Sequence, residues 1–493
     1  MLFLGIDAGT TGTKALVLDA QGRTLGKGYQ EYELFPSAGG RVEQRAEDWW
    51  NAVVYAVRNA VSYLSSEQKK KIVSLSLSTQ GASMLAVDKD FVPLGPVITW
   101  MDNRASKEAD WLEQQVGGET IYRKSGWGLG PDFDAAKILW INRNQPDVFK
   151  KAASFVSTLE YLNYHLTGEN VIDPTNAAIR QMMDISTGKW DSQILDAIGI
   201  QENRLPKILP TGAFVGKLTV QAAEVLGLSE QVKVYNGAHD QYCAALGCGA
   251  VKQGDALLST GTTWVLLGVL NRLLYTPSHL APGIHPVNGL YGAMGSLVSA
   301  GCALKWYKSL VSEEYKQIDQ EASQRRESAK GLLFYPYVAG AGFPHDRSER
   351  ELYGTLFGMQ LLHDRYDIAL ALMEGVAFEA RMALEEMGSA GMPMKTLLML
   401  GGAAKSLLWS RITGAVTGCE IRRTKESEAC CMGSAMLAAV GAGAFPDYIS
   451  AVSSMVSYLA PLPSEPEAQL FYEEKYQRYC KNYPLVRHYY KGE

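Results

Sequence analysis

The chain has 493 residues, with 47 basic against 52 acidic side chains, a net charge of −5, 47% hydrophobic residues and 20% charged residues. That is an ordinary globular composition, long enough for two large domains. It has no long block of like charge to suggest a nucleic-acid partner, since Lys69-Lys70-Lys71 reads as a solvated helix end. Seven cysteines, odd in number and without a C-x-x-C pair, together with seven scattered histidines and no H-E-x-x-H, argue against a disulfide framework or a zinc site and for a reducing compartment. The opening Met1 to Asp7 is too short an apolar run for a signal segment and lacks a basic flank, and no stretch approaches the roughly 20 apolar residues of a membrane span. The expectation is a cytoplasmic protein with no membrane contact.

In chain order, Leu2 to Ile6 reads as a buried strand, Asp7 to Lys14 as a Gly/Thr-rich turn and Ala15 to Leu18 as a returning strand, with a further turn at Gln21-Gly22. Glu47 to Leu64 carries apolar residues at helical spacing, Ile72 to Leu77 reads as a strand, and a helix is expected over Asp134–Asn142. Val232 to Ala238 reads as a strand leading to a loop, followed by a helix or crossover from Ala244 to Gly249. Ala256 to Leu258, the turn Ser259 to Thr263 and Trp264 to Val269 repeat the opening design about half a chain later. Leu397 to Leu400 is a strand running into Gly401-Gly402, with a helix from about Ser406. Ala429 to Val440 is an apolar, small-residue helix, and Glu467 to Tyr483 a charged and aromatic one that Pro484 is expected to end. Alternating strands and helices define an α/β protein.

The segment Asp7-Ala8-Gly9-Thr10-Thr11-Gly12-Thr13-Lys14 has the chemistry of a phosphate loop. Gly9 and Gly12 let backbone N–H groups approach oxygens, Thr10 and Thr11 add hydroxyls and Lys14 adds a charge. Asp7 is placed to hold Mg²⁺, directly or through water. A plain hairpin turn is the alternative. The chain has neither G-x-x-x-x-G-K-[ST] nor G-x-G-x-x-G, so it is neither an obvious P-loop nor an obvious Rossmann protein.

This D-x-G-T-T-x-x-K turn resembles the first phosphate loop of the actin, Hsp70 and sugar kinase superfamily. Ser259-Thr260-Gly261-Thr262-Thr263 resembles its second, and Leu398 to Ala404 its adenosine-binding strand and turn. Gly354 to Met359, Asp367-Ile368 and Met373-Glu374 resemble the C-terminal signature of the FGGY carbohydrate kinases, with Leu372 a departure. Lys137 to Ile141 fits the N-terminal signature, whereas Asp132 and Asp134 depart from it. The resemblance runs from Asp7 to about Gly443. It implies two actin-like, ribonuclease H-like domains around a central cleft: 1–245 binding sugar, 246–445 binding ATP, and a helical extension over 446–493.

Asn236 to Gln241 resembles the family loop that carries the catalytic base, which implies that Asp240 accepts the proton of the acceptor hydroxyl. The alternative for such an Asp is a turn or helix cap. The resemblance implies sugar contacts from Gln80, Trp100, Asp102, Asp240 and Gln241, with Asp102 and Arg104 as an ion pair. It implies ATP contacts from Thr10, Thr11, Gly12, Lys14, Gly261, Thr262, Gly301, Gly401, Gly402 and Lys405. For Gln80, Trp100, Asp102 and Gly301 a purely structural role is the alternative. Ser78 to Ala82 stands where the family reads sugar identity, and its S-x-Q-G form is closer to kinases of L-xylulose and related ketoses than to glycerol kinases. Xylulokinases often carry Met-His-Gly there, which this chain lacks. His239 reads as a neighbour of the base, and Cys430-Cys431 as core packing. Pro344-His345 resembles a family P-H, followed by a longer loop over Ser348 to Leu352.

The expected activity is ATP- and Mg²⁺-dependent phosphorylation of a ketopentose such as xylulose. The alternatives are another FGGY substrate (L-fuculose, ribulose, a tetritol or an autoinducer-type ketose) or, in a different class, a non-kinase actin-like ATPase. The expected partners are sugar and ATP, with a homodimer left open.

Overall fold

The computed structural model describes residues 1–345, 349, 351–463 and 465–492. The chain forms two compact units, each assembled from segments distant in sequence. The first comprises Met1–Val251, Ala281–Tyr291 and Glu428–Val456, and the second Lys252–Leu280, Gly292–Ser427 and Ser457–Glu493.

The first unit is built on a six-stranded sheet whose centre is Leu2–Ala8. Gly12–Asp19 returns antiparallel on one side of it, and Ile72–Thr79 runs parallel on the other. Lys233–His239 runs parallel to Ile72–Thr79 in turn. Helix Ala46–Ser62 covers the hairpin side with Trp49, Val53 and Val57 buried. Three parallel strands therefore end together, and ligands of open α/β sheets gather at such carboxyl ends.

Helix Ala429–Gly441 falls within the domain that sequence assigns to 246–445, yet it packs in the first unit, against the central strand Leu2–Ala8 and helix Asp240–Cys248. The reason is contact at backbone distance. A Cβ on Gly5 would lie 1.9 Å from Cys431 O, one on Gly247 1.9 Å from Ala429 O, and one on Gly433 1.9 Å from Cys243 O. The small residues noted in the sequence are the surface on which three backbones touch. The 446–493 extension is likewise divided, with Tyr448–Met455 in the first unit and Pro466–Lys491 in the second.

The second unit repeats the central plan. Asp255–Thr260 pairs antiparallel with Trp264–Leu270 and parallel with Thr396–Gly401, which pairs parallel with Glu420–Arg423. Helix Arg365–Ser389 is buried through most of its length. Its Asp367 serves the capping box with Asp364, and Glu374 pairs with Lys475 of helix Pro466–Lys491. These two signature residues are structural.

The last helix does not stop at Pro484 but continues to Lys491. Proline removes one hydrogen bond to the preceding turn, and packing on both sides outweighs that loss. Tyr479 stacks on Tyr335, Tyr483 donates to Glu349, and Val486 is buried beyond the proline.

None of the seven cysteines forms a disulfide, and no helix of the described residues is long and apolar enough to cross a membrane. Pro344 and His345 are described, and His345 is buried against Glu379. Of the longer loop expected after them, Ser348 and Arg350 lie outside the described residues.

Candidate active site

The parallel register fixes which side chains meet at the strand ends of the first unit. Asp7 pairs with Ser78 and Ala8 with Thr79, while Ala238 pairs with Ser78 and His239 with Thr79. Gln80 and Asp240, each one residue further along, consequently leave adjacent strands side by side.

Asp7 accepts a hydrogen bond from Ser78 Oγ at 2.7 Å. Burial pushes its carboxyl up to about 7; the Ser78 bond works against the rise and the Asp240 charge adds to it. Asp240 opens helix Asp240–Cys248, where the helix dipole favours an anion. Its Oδ1 is buried without a hydrogen-bond partner. Gln80 is 2% exposed. Its Nε2 donates to Gln44 Oε1 at 3.2 Å, and its own Oε1 is buried and unpartnered. Gln241 Oε1 is in the same condition. Buried polar atoms are nearly always paired, so three orphaned acceptors just beyond the ends of two adjacent strands are candidates for donors from a ligand.

Two residues absent from the sequence-based site hold this arrangement. Gln44 receives Trp49 Nε1 and Gln80 Nε2 on its oxygen and donates to Thr10 O at 2.7 Å, tying the turn to the strand end. Lys137, fully buried, donates to the carbonyls of Ala82, Thr99 and Asp132 at 2.8, 2.8 and 2.6 Å. Burial lowers its ammonium to about 8. It fastens Ala82, which adopts a left-handed φ of 52°, rare for a residue other than glycine. Gln44 lay outside every motif. Lys137 was visible in the N-terminal signature, but its three carbonyl partners are scattered along the chain.

The hairpin turn is Gly9 to Thr11, and Lys14 already belongs to the returning strand Gly12–Asp19. Lys14 Nζ lies 2.6 Å from Glu428. Burial opposes its charge, but Glu428 and then Asp7 outweigh burial and hold the ammonium above its ordinary value. Gly12 is buried, and a Cβ there would meet Gln30 O and Tyr29 Cε2 at 2.8 Å each. Its lack of a side chain is thus explained by the adjacent strand rather than by ligand approach. Gly9 is the open glycine, with only Gly12 O at 3.5 Å. Trp100 is 44% exposed, with Nε1 donating to Thr10 Oγ1 at 3.0 Å.

Asp102 departs from its expected sugar-binding place. The ion pair with Arg104 is present at 2.7 Å, and the carboxylate also accepts from Arg104 N, Arg104 Nε and Val42 N. With 0% exposure and every lone pair engaged, it has none left for a hydroxyl. Arg104 also pairs with Glu43 at 2.6 Å, so the W-x-D-x-R segment is a brace.

In the second unit the turn Gly261 to Thr263 is exposed at Gly261 and Thr262. Helix Gly301–Val311 starts directly on it: a Cβ on Gly301 would lie 2.0 Å from Gly261 O, and Cys302 N donates to Thr262 O at 2.8 Å. Thr260 stands beside Gly401 in register, and its Oγ1 accepts from Ala403 N at 3.1 Å. Gly401 turns with φ +89°. Gly402 and Lys405 are exposed beside it. A cavity of about 370 Å³ lined by Lys316, Arg326, Arg411 and Glu465 includes none of these loop residues and takes no part in the site.

Two sheets of one plan, each opening on a Gly/Thr hairpin, are the architecture of the actin-like class. Residues 2–247 match the N-terminal domain of the FGGY family of carbohydrate kinases, and residues 256–442 match its C-terminal domain. The chain belongs to that family and is an ATP-dependent carbohydrate kinase. Its relatives include the xylulose kinase of Staphylococcus epidermidis, 30% identical over 480 residues that cover 97% of this chain and 95% of the relative. They also include the gluconokinase of Bacillus subtilis, 27% identical over 472 residues that cover 92% and 90%. The crystal structure of a xyloylose kinase from Brucella ovis superposes with a TM-score of 0.91 at 27% identity, covering 99% of each chain.

Proposed function

We propose that the protein transfers the γ-phosphoryl group of ATP to a hydroxyl of a ketopentose of the xylulose type. The carrying observation is the set of buried acceptors without donors: Asp240 Oδ1, Gln80 Oε1 and Gln241 Oε1. Every hydroxyl of a sugar is a donor, and an acceptor left unpaired in a buried site costs about 1–3 kcal/mol. Xylulose-acting relatives support the choice of sugar.

Asp240 orients the acceptor hydroxyl and takes its proton as the oxygen attacks phosphorus. The new O–P bond forms, the bond from phosphorus to the bridging oxygen breaks, and ADP leaves with that electron pair. Gln80 and Gln241 accept from neighbouring hydroxyls, and the exposed face of Trp100 supplies apolar cover. We assign sugar recognition to the first unit. In the second, Gly261, Thr262, Gly301, Gly401, Gly402 and Lys405 offer backbone amides, a hydroxyl and an ammonium to the nucleotide. Thr10, Thr11 and Lys14, on the turn and strand beside Asp7, carry phosphate contacts of the first unit.

The residues fit Mg²⁺. Asp7 is a hard oxygen ligand raised to about 7 partly by the Asp240 charge, a repulsion that a cation offsets. Mg²⁺ takes one or two carboxylates and otherwise keeps its waters or binds phosphate, so a single carboxylate such as Asp7 is enough on the protein side. Asp7 would hold it, and the ion would neutralise phosphate charge. Seven thiols outside any disulfide support a cytoplasmic setting.

The test is ADP release across a panel of ketopentoses, deoxyketoses, polyols and aldonates with Mg²⁺ and ATP. A ketopentose is expected to give the highest kcat/KM; a higher value for an aldonate or a polyol overturns the choice of sugar.

A further inference from the structure

The three orphaned atoms are all acceptors, so they recognise hydroxyls but cannot recognise a carbonyl, which has no proton to give. A site for a ketose needs a donor as well. His239 supplies one.

His239 ends the strand Lys233–His239, where its N–H donates to Thr175 Oγ1 at 2.8 Å. Its ring lies over Gly81: a Cβ on that glycine would stand 2.6 Å from Cδ2 and 2.9 Å from Nε2. The missing side chain in the Ser78 to Ala82 segment is therefore the space the imidazole fills. Trp127 and Tyr242 flank the ring, each with its centroid 6.4 Å away. The side chain is 9% exposed, so its orientation is held by packing.

The proton's position follows from the hydrogen bonds. Nδ1 accepts the N–H of Gln241 at 3.4 Å, and a ring nitrogen that accepts carries no proton. Asp240 Oδ1, 3.3 Å from Nδ1, accordingly stays without a donor. With Nδ1 accepting, the ring N–H is left to Nε2, the atom beside Gly81, which has no hydrogen-bond partner among the described residues. We infer that His239 Nε2–H donates to the carbonyl oxygen of an open-chain ketose, next to the hydroxyl held by Asp240. His239 then reads the carbonyl while Gln80 and Gln241 read hydroxyls. This inference rests on the ketopentose reading above.

The experiment compares the best ketopentose with its alditol, in which the carbonyl is a hydroxyl-bearing carbon. The proteins are the full-length enzyme, His239→Phe and His239→Gln. Phenylalanine keeps a flat ring over Gly81 without a donor; glutamine keeps a donor. The native enzyme is expected to prefer the ketose at least tenfold. His239→Phe should lose roughly 10- to 100-fold in kcat/KM on the ketose and less than about threefold on the alditol, with KM for ATP unchanged. His239→Gln should recover part of the ketose preference. Equal loss on both sugars, or an unchanged ketose-to-alditol ratio in both variants, overturns the role of His239 and leaves the ketopentose reading standing. A native enzyme that does not turn over the ketose overturns that reading, and the carbonyl contact with it.

Discussion

The two Gly/Thr hairpins share a plan and differ in content. Around Gly9 to Thr11 stand Asp7, Lys14, Glu428 and Asp240, a set of charges that together shift Asp7 and Lys14. Around Gly261 to Thr263 the neighbours are Thr260, Gly301 and Gly401, and the close contacts are between backbones. The first hairpin is an electrostatic device. The second is a backbone cradle whose shape depends on the absence of side chains. Substitutions should therefore act on the first through charge and pH, and on the second through volume.

The largest effect is expected from Asp240→Asn, an isosteric change that removes the proposed base. Turnover should fall by roughly 10²–10⁴-fold while nucleotide binding, followed by calorimetry with a non-hydrolysable analogue, is retained. Near-native turnover would end the assignment.

Gly301→Val probes the cradle. Its Cβ would enter Gly261 O, so the helix start must shift, at a cost of about 3 kcal/mol in denaturant unfolding and with weakened nucleotide affinity. Native affinity with the fold retained would break the comparison.

Asp7→Asn separates charge from shape. The carboxyl is raised to about 7 from 3.8. Between those values the folded state holds a proton that the unfolded chain has lost, so stability falls as pH rises through this window. Asparagine does not titrate. The ligand-free variant should lack activity yet gain on the native protein by on the order of 2 kcal/mol between pH 5 and pH 8 in denaturant titrations. A gap independent of pH would show that Asp7 carries no such penalty.

Gln80→Ala should reduce kcat/KM for the best sugar about tenfold, less for an analogue lacking the partner hydroxyl, with ATP KM unchanged. Equal losses on all sugars would make Gln80 structural.

The smallest effect concerns Gly12, which the sequence places against phosphate and the structure places against Tyr29. Gly12→Ala should cost about 1 kcal/mol in thermal unfolding, part of it recovered in the Tyr29→Ala background. Loss of nucleotide affinity without loss of stability would restore the phosphate explanation.

Residues close in sequence were legible before any coordinates. The Asp7 to Lys14 hairpin, its echo at Ser259 to Thr263 and the strand leading to Asp240 follow from local composition, because a turn needs Gly and Thr within a few positions. Pro484 misled because a local rule about a lost hydrogen bond was overruled by the packing of Tyr479, Tyr483 and Val486. The chain itself determined most elements and the family, and it pointed to Asp240 as the proposed base. Tertiary structure decided which partners each polar group meets, since hydrogen bonds join atoms far apart in sequence. It left Asp102 no free lone pair, made Lys137 a clamp, drew helix Ala429–Gly441 onto the first unit, and laid the His239 ring over Gly81.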